Sequence, residues 1–102
     1  GVATPTEAYN AFKAGADMVK IFPADTLGGP SFIKALIGPF PFLKIFATGG
    51  IKLENYFEYV QNGAICTGMG GSLFKKRWLE DRDFDRIKTE AKKIYEDIQG
   101  KK

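Results

Sequence analysis

Two hydrophobic periods alternate along this chain. Short apolar runs of strand length recur near residues 17–22, 43–47 and 64–67, and between them apolar residues fall three or four positions apart, as on one face of a helix. Such alternation of βα-sized units predicts an α/β fold with parallel strands, with no low-complexity linker to divide it. Thr4-Pro5-Thr6-Glu7 opens the first predicted helix. Threonine can cap free N–H groups, proline suits the first helical position, and Glu7 completes a capping box. Ala8, Phe12 and Ala11 supply its apolar stripe and Gly15 stops it. Pro23 ends the first strand. A short helix over 31–37 carries Phe32, Ala35 and Leu36 on one face, and Gly38-Pro39 breaks it before Phe40-Pro41-Phe42. The second strand is predicted over 43–47. A helix over 53–62 follows, with Phe57 and Val60 pointing inward and Gly63 as its stop, and the third strand covers 64–67. The last helix, over 83–99, places Phe84, Ile87, Ala91, Ile94, Tyr95 and Ile98 on one stripe that should cover a sheet.

Composition narrows the chemistry. The 102 residues are 44% hydrophobic and 26% charged, ordinary for a soluble chain of single-domain size. No run approaches the roughly 18 apolar residues that cross a bilayer, and the first residues lack a signal-peptide pattern, so a cytoplasmic protein is expected, with no membrane partner. There is one cysteine, Cys66, and no histidine. Cys66 reads as a small buried hydrophobe, and neither a zinc site nor a histidine-based triad can be assembled within the chain. A net charge of +3, spread along the sequence, gives no support for a nucleic-acid partner. The densest cluster, Lys75-Lys76-Arg77, is followed by Glu80, Asp81 and Asp83, which reads as a solvated, self-compensating loop.

Lys20 interrupts the apolar run Met18-Val19-Lys20-Ile21-Phe22-Pro23. A buried ammonium is destabilised relative to the neutral amine, and the neutral amine is a nucleophile toward carbonyl carbon, so Schiff-base chemistry is one reading. The other is an edge-strand lysine whose stem covers apolar surface while its ammonium reaches water. Period-two alternation puts Met18, Lys20 and Phe22 on one face, Val19 and Ile21 on the other. Lys44 sits at the start of its strand, where its ammonium can reach solvent, and is assigned no catalytic role. Asp25, just past Pro23, reads as a polar loop residue more readily than as a contact to a substrate hydroxyl.

The second strand ends in Thr48-Gly49-Gly50 and the third in Gly68-Met69-Gly70-Gly71-Ser72. Glycines let backbone N–H groups approach an anion closely, and a following helix N-terminus adds a positive dipole end, so two such loops can make a phosphate cradle with Ser72 as a hydroxyl donor. Gly-Gly is also ordinary turn chemistry. Carboxyl ends of parallel strands share one side of the sheet, so the three loops are expected to converge there.

These residues, in this order, resemble a known family. Gly1-Val2-Ala3-Thr4-Pro5-Thr6-Glu7, Val19-Lys20-Ile21-Phe22-Pro23-Ala24, Gly38-Pro39-Phe40, Thr48-Gly49-Gly50-Ile51 and residues 68–72 are similar to the C-terminal half of the 2-keto-3-deoxy-6-phosphogluconate (KDPG) aldolases, within the wider KDPG/KHG aldolase family. The likeness runs to about residue 74; beyond it the chain matches only as a generic terminal helix.

The resemblance implies a class I aldolase on a (β/α)8 barrel, without metal or other cofactor. Lys20 would form the Schiff base with pyruvate, Phe22 would wall the pyruvate pocket, and Thr48 would lie beside the bound keto acid. Gly49, Gly50, Gly70, Gly71 and Ser72 would hold the phosphate, although the third loop departs from the family's commoner Gly-x-Gly-Ser form. Implied substrates are 2-keto-3-deoxy-6-phosphogluconate, its galactonate epimer, or 4-hydroxy-2-oxoglutarate.

A complete barrel needs about 200 residues or more. Residues 1–102 are therefore expected to form a single partial barrel domain: the tail of strand five, strands six to eight and their helices. The family's general-base glutamate and carboxylate-binding arginine would lie in the N-terminal half, outside this chain. Its open edges predict a homo-oligomer, as in the family's trimers, or strand completion by another copy or the missing half. Two further readings are a catalytically silent anion-binding half-barrel, and a phosphate-binding barrel isomerase or synthase in which Lys20 has no required role.

Overall fold

A computed structural model describes residues 1–101. They pack as two compact units, residues 1–69 and residues 70–101. The first unit contains helix α1 (Pro5–Lys13), strand β1 (Val19–Ile21), helix α2 (Pro30–Ile37), strand β2 (Ile45–Thr48), helix α3 (Tyr56–Gln61) and strand β3 (Ala64–Gly68). The strands form one parallel sheet in the order β1-β2-β3. Val2 extends it past β1 by a single parallel bridge to Ile21, donating its N–H to the Lys20 carbonyl at 2.8 Å and accepting from Phe22 N–H at 3.2 Å.

Local chemistry accounts for the element boundaries. The Thr4 hydroxyl accepts from Glu7 N–H at 3.2 Å as the expected capping box requires, while the Glu7 carboxylate accepts from the Thr4 hydroxyl and from Ala3 N–H, one residue before the cap; Pro5 takes the first helical position. At the other end Gly15, in a left-handed conformation, releases the chain toward β1.

The helices cover one face of the sheet. Val19, Ile21, Ile45, Ala47 and Ala64 are buried there with Ala8 of α1, Ile33 and Leu36 of α2, and Tyr56 and Tyr59 of α3. Two helix faces differ from expectation. On α2 the buried pair is Ile33 and Leu36, while Ala35 is exposed; on α3 the tyrosines go inward, and Val60 is exposed. α3 is also shorter than predicted, because residues 52–55 form a turn in which Asn55 accepts from Lys52 N–H at 2.9 Å and donates to the Gly50 carbonyl at 2.9 Å.

The opposite face is open. Register pairs Lys20 with Phe46 and Phe46 with Cys66, so these three stand in one row, and Thr48 pairs with Gly68 in the next. Ile45 pairs with Ala64 but Phe46 with Cys66, so Ile65 is an extra residue, a β-bulge that brings Cys66 onto the Lys20 side. There the Cys66 thiol sits 3.6 Å from Met18 Sδ. Cys66 is half-buried, and burial pushes its thiol pKa up from the ordinary value.

In the second unit a turn at Gly70, whose carbonyl accepts from Leu73 and Phe74 N–H, leads to helix α4 (Lys76–Glu80) and helix α5 (Phe84–Gly100). The basic cluster read as a loop is thus partly helical, with Lys76 and Glu80 paired at 3.8 Å one turn apart. Asp83 caps α5, accepting from Arg86 N–H at 3.1 Å. The Trp78 ring centroid lies 4.9 Å from Lys75 Nζ and 5.1 Å from the Arg86 guanidinium carbon, both cation–π distances. The α5 stripe expected to be buried is not: none of its residues is, and Phe84 and Tyr95 are exposed.

Candidate active site on the open sheet face

Lys20 is the only lysine inside a strand among the described residues. Of its two readings the structure matches the second, an exposed lysine: the β1 pattern is buried, exposed, buried, with Val19 and Ile21 under the helices and Lys20 on the other side. Its neighbours are as the alternation predicts. Met18 and Phe22 share its face, and the amine lies 5.5 Å from the Phe22 ring centroid, a cation–π distance. Across the sheet Phe46 flanks it in register, and Thr48 follows two residues later on the same strand face. No carboxylate stands among these face residues.

The Thr48-Gly49-Gly50 turn does more for packing than expected. Gly49 and Gly50 have φ of 102° and 72°, a region that favours glycine. A Cβ on Gly49 would come within 2.8 Å of Pro23 Cα, and one on Gly50 would collide with the Asp25 carboxylate. The loop after β1 is laced to this turn: Ala24 N–H donates to the Thr48 carbonyl at 2.8 Å and Asp25 N–H to the Gly49 carbonyl at 3.3 Å. No backbone carbonyl among the described residues accepts from Gly49 or Gly50 N–H. An anion at those N–H groups would, however, share the turn with the Asp25 carboxylate. The helix dipole does not reach them either, since α3 begins only at Tyr56 and such fields fade within the first turn.

Gly70, Gly71 and Ser72 belong to the second unit. A Cβ at Gly70 or Gly71 would meet nothing within 4 Å, and Ser72 is half-buried. The backbone of this loop is thus open to a close-approaching ligand, but α4, starting at Lys76, is again too far along the chain to point at it. Among the described residues no group of three or more histidine, cysteine, aspartate or glutamate side chains is placed to hold a metal ion, and no helix is long and apolar enough to cross a membrane.

The model of one protein family, described as KDPG and KHG aldolase, matches residues 1–90. The chain belongs to the KDPG/KHG aldolase family. It is 35% identical to the 2-dehydro-3-deoxy-6-phosphogalactonate aldolase of Escherichia coli K12, over 97% of this chain and 48% of that protein. To the 2-dehydro-3-deoxy-phosphogluconate aldolase of Haemophilus influenzae it is 36% identical, over 97% of this chain and 47% of the relative. The solved KDPG aldolase of Legionella pneumophila, with pyruvate captured at low pH as a covalent carbinolamine intermediate, aligns with a TM-score of 0.77 at 33% identity, over 85% of this chain and 42% of that one. The chain spans about half the length of the relatives it matches.

For a KDPG/KHG aldolase family member, one further neighbour of the lysine escaped the sequence reading. Phe46 stands beside Lys20, and its ring tip rests on Gly68, where a Cβ would lie 2.8 Å from Cζ and 2.9 Å from Cε2. Strand alternation alone could have put Phe46 on that face, but the bulge at Ile65 shifts the register that carries Gly68 to it.

Proposed function

We propose that this chain carries the Schiff-base part of a class I aldolase built on a (β/α)8 barrel, of which the three strands described here are the sixth to eighth. The observation that carries the reading is the one strand lysine among the described residues, Lys20, with the Phe22 ring 5.5 Å from its amine, Phe46 opposite it in register and Thr48 farther along the same face. A family relative holding pyruvate as a carbinolamine supports it.

In this reading the Lys20 amine adds to the ketone carbon of a 2-keto acid, and loss of water from the carbinolamine gives an iminium. The iminium accepts the electron pair of the C3–C4 bond as it breaks, while the C4 hydroxyl gives up its proton and leaves as an aldehyde. Protonation of the enamine at C3 and hydrolysis then release pyruvate and restore the amine. Phe22 walls the keto-acid pocket and Thr48 lies beside it. Gly49 and Gly50 in one unit, and Gly70, Gly71 and Ser72 in the other, are the phosphate-binding candidates, each loop to be tested separately. The substrates are 2-keto-3-deoxy-6-phosphogluconate or its galactonate epimer, or 4-hydroxy-2-oxoglutarate.

The open face, with no carboxylate to move the C4 proton, favours a second statement about the chain by itself: it binds and does not turn over. The test is pyruvate trapping with borohydride and peptide mapping by mass spectrometry. The expected adduct is one pyruvate less one water plus two hydrogens, on Lys20, and absent in Lys20→Met. Adducts spread over the exposed lysines, or none on Lys20, overturn the Schiff-base assignment; retro-aldol turnover by the isolated chain overturns the silent reading.

A further inference from the structure

We infer that Phe46 is a positioning residue for Lys20, and that Gly68 is glycine because the Phe46 ring needs its empty side. The inference deepens the aldolase reading and rests on it for its chemical consequence. Register places the Phe46 Cα directly opposite that of Lys20, so the two side chains rise from adjacent strands on the same open face. Phe46 does not stand upright beside the lysine. Its ring leans toward β3 and the strand ends, until Cζ and Cε2 lie where a Cβ of Gly68 would come to 2.8 and 2.9 Å; the Thr48 hydroxyl would be 3.5 Å from that Cβ.

That lean makes Phe46 half-buried, while Met18, Lys20 and Phe22 on the same face are exposed. A ring held against Gly68 would leave room beside Lys20 on the same face for the keto-acid carbonyl that the aldolase reading brings to the amine. Gly68 differs in kind from Gly49 and Gly50. Its φ is not in the left-handed region, so its backbone accepts any residue, and only the Phe46 ring is in the way. A methyl there would collide with the ring tip and make it shift, and the inference is that it shifts toward the lysine.

The experiment compares wild type, Gly68→Ala, Phe46→Ala and the double variant Gly68→Ala/Phe46→Ala as the full chain. Borohydride-trapped pyruvate on Lys20 is measured against pyruvate concentration, with thermal unfolding of each variant alongside. Gly68→Ala is expected to lower the trapping rate at least tenfold, and the double variant to restore it to within about threefold of Phe46→Ala. Phe46→Ala alone is expected to raise the half-saturating pyruvate concentration more than it lowers the maximal rate, a split that general destabilisation does not produce. Equal trapping in Gly68→Ala and wild type, or a double variant no better than Gly68→Ala, overturns the inference.

A second readout separates it from the aldolase reading. In proton NMR the Lys20 side-chain methylene signals are expected to move upfield in Gly68→Ala as the ring comes over them, and to return in the double variant. If wild type traps no pyruvate, the aldolase reading falls while this shift still decides the placement of Phe46; unmoved Lys20 signals overturn it.

Discussion

At the scale of single residues, the glycines that look alike in the sequence have separate reasons to be there. Gly50 has positive φ and its missing side chain makes room for Asp25, so Gly50→Ala carries both a left-handed backbone penalty and a collision. Together these are expected to lower the unfolding free energy by about 2 kcal/mol or more. Urea titration of Gly50→Ala and of Gly50→Ala/Asp25→Ala separates the two parts. The double variant should recover the collision share and keep the backbone share; equal midpoints for wild type and Gly50→Ala would sink the account.

Tyr59 offers a test by pH. Burial first, then the charges of Asp25 and Glu58, raises its phenol above the ordinary tyrosine value of 10.0. The folded state therefore holds this proton when the unfolded chain has released it, so its contribution to stability is intact below pH about 10 and is lost as pH rises toward the folded value. The slope is at most about 1.4 kcal/mol per pH unit. Urea midpoints above pH 10 should fall more steeply for wild type than for Tyr59→Phe; parallel curves count against it.

At the scale of elements, the strands and the capped first helix were legible because their signals are local. Thr4 and Glu7 are bonded to each other within one turn, and the alternation through Val19, Lys20 and Ile21 decides which face each takes. Helix faces were less legible where aromatic residues crowd both sides. The α3 segment contains Tyr56, Phe57, Tyr59 and Val60, so the pairs 56/59 and 57/60 fit the period equally well, and the packing against β3 chooses the tyrosines. The bulge at Ile65 left no mark in the sequence, since it is a property of how β2 and β3 pair. The two readings of Lys20 stayed open for a related reason: a strand residue is buried or open according to what covers its face, and no covering layer is written into the strand itself. The α3 assignment predicts a contrast. Tyr59→Ala should cost about 3 kcal/mol or more, as for other buried aromatics, whereas Val60→Ala should stay within about 0.5 kcal/mol. Equal destabilisation in urea would return α3 to the face expected from its sequence.

At the scale of the whole molecule, the sheet of the first unit is only half enclosed. Parallel strands are ordinarily covered on both faces, yet here Met18 and Phe22 are exposed on the face opposite the helices. Two edges are open as well: among the described residues β3 pairs only with β2, and beyond β1 there is only the bridge at Val2. Unpaired edges beside exposed apolar side chains recruit other strands. We therefore expect the chain to associate, with a weight-average mass in sedimentation equilibrium that rises with concentration. Met18→Glu, placed on the open face, should weaken association without a matching loss of monomer stability. Covering that face would also bury Lys20, and burial disfavours an ammonium relative to the amine that attacks carbonyl carbon. The fraction of Lys20 trapped by pyruvate and borohydride should then rise with chain concentration in wild type and stay flat in Met18→Glu. A monomer at both low and high concentration, or a trapped fraction independent of concentration while the chain associates through this face, would show that the lysine does not depend on closure of its sheet.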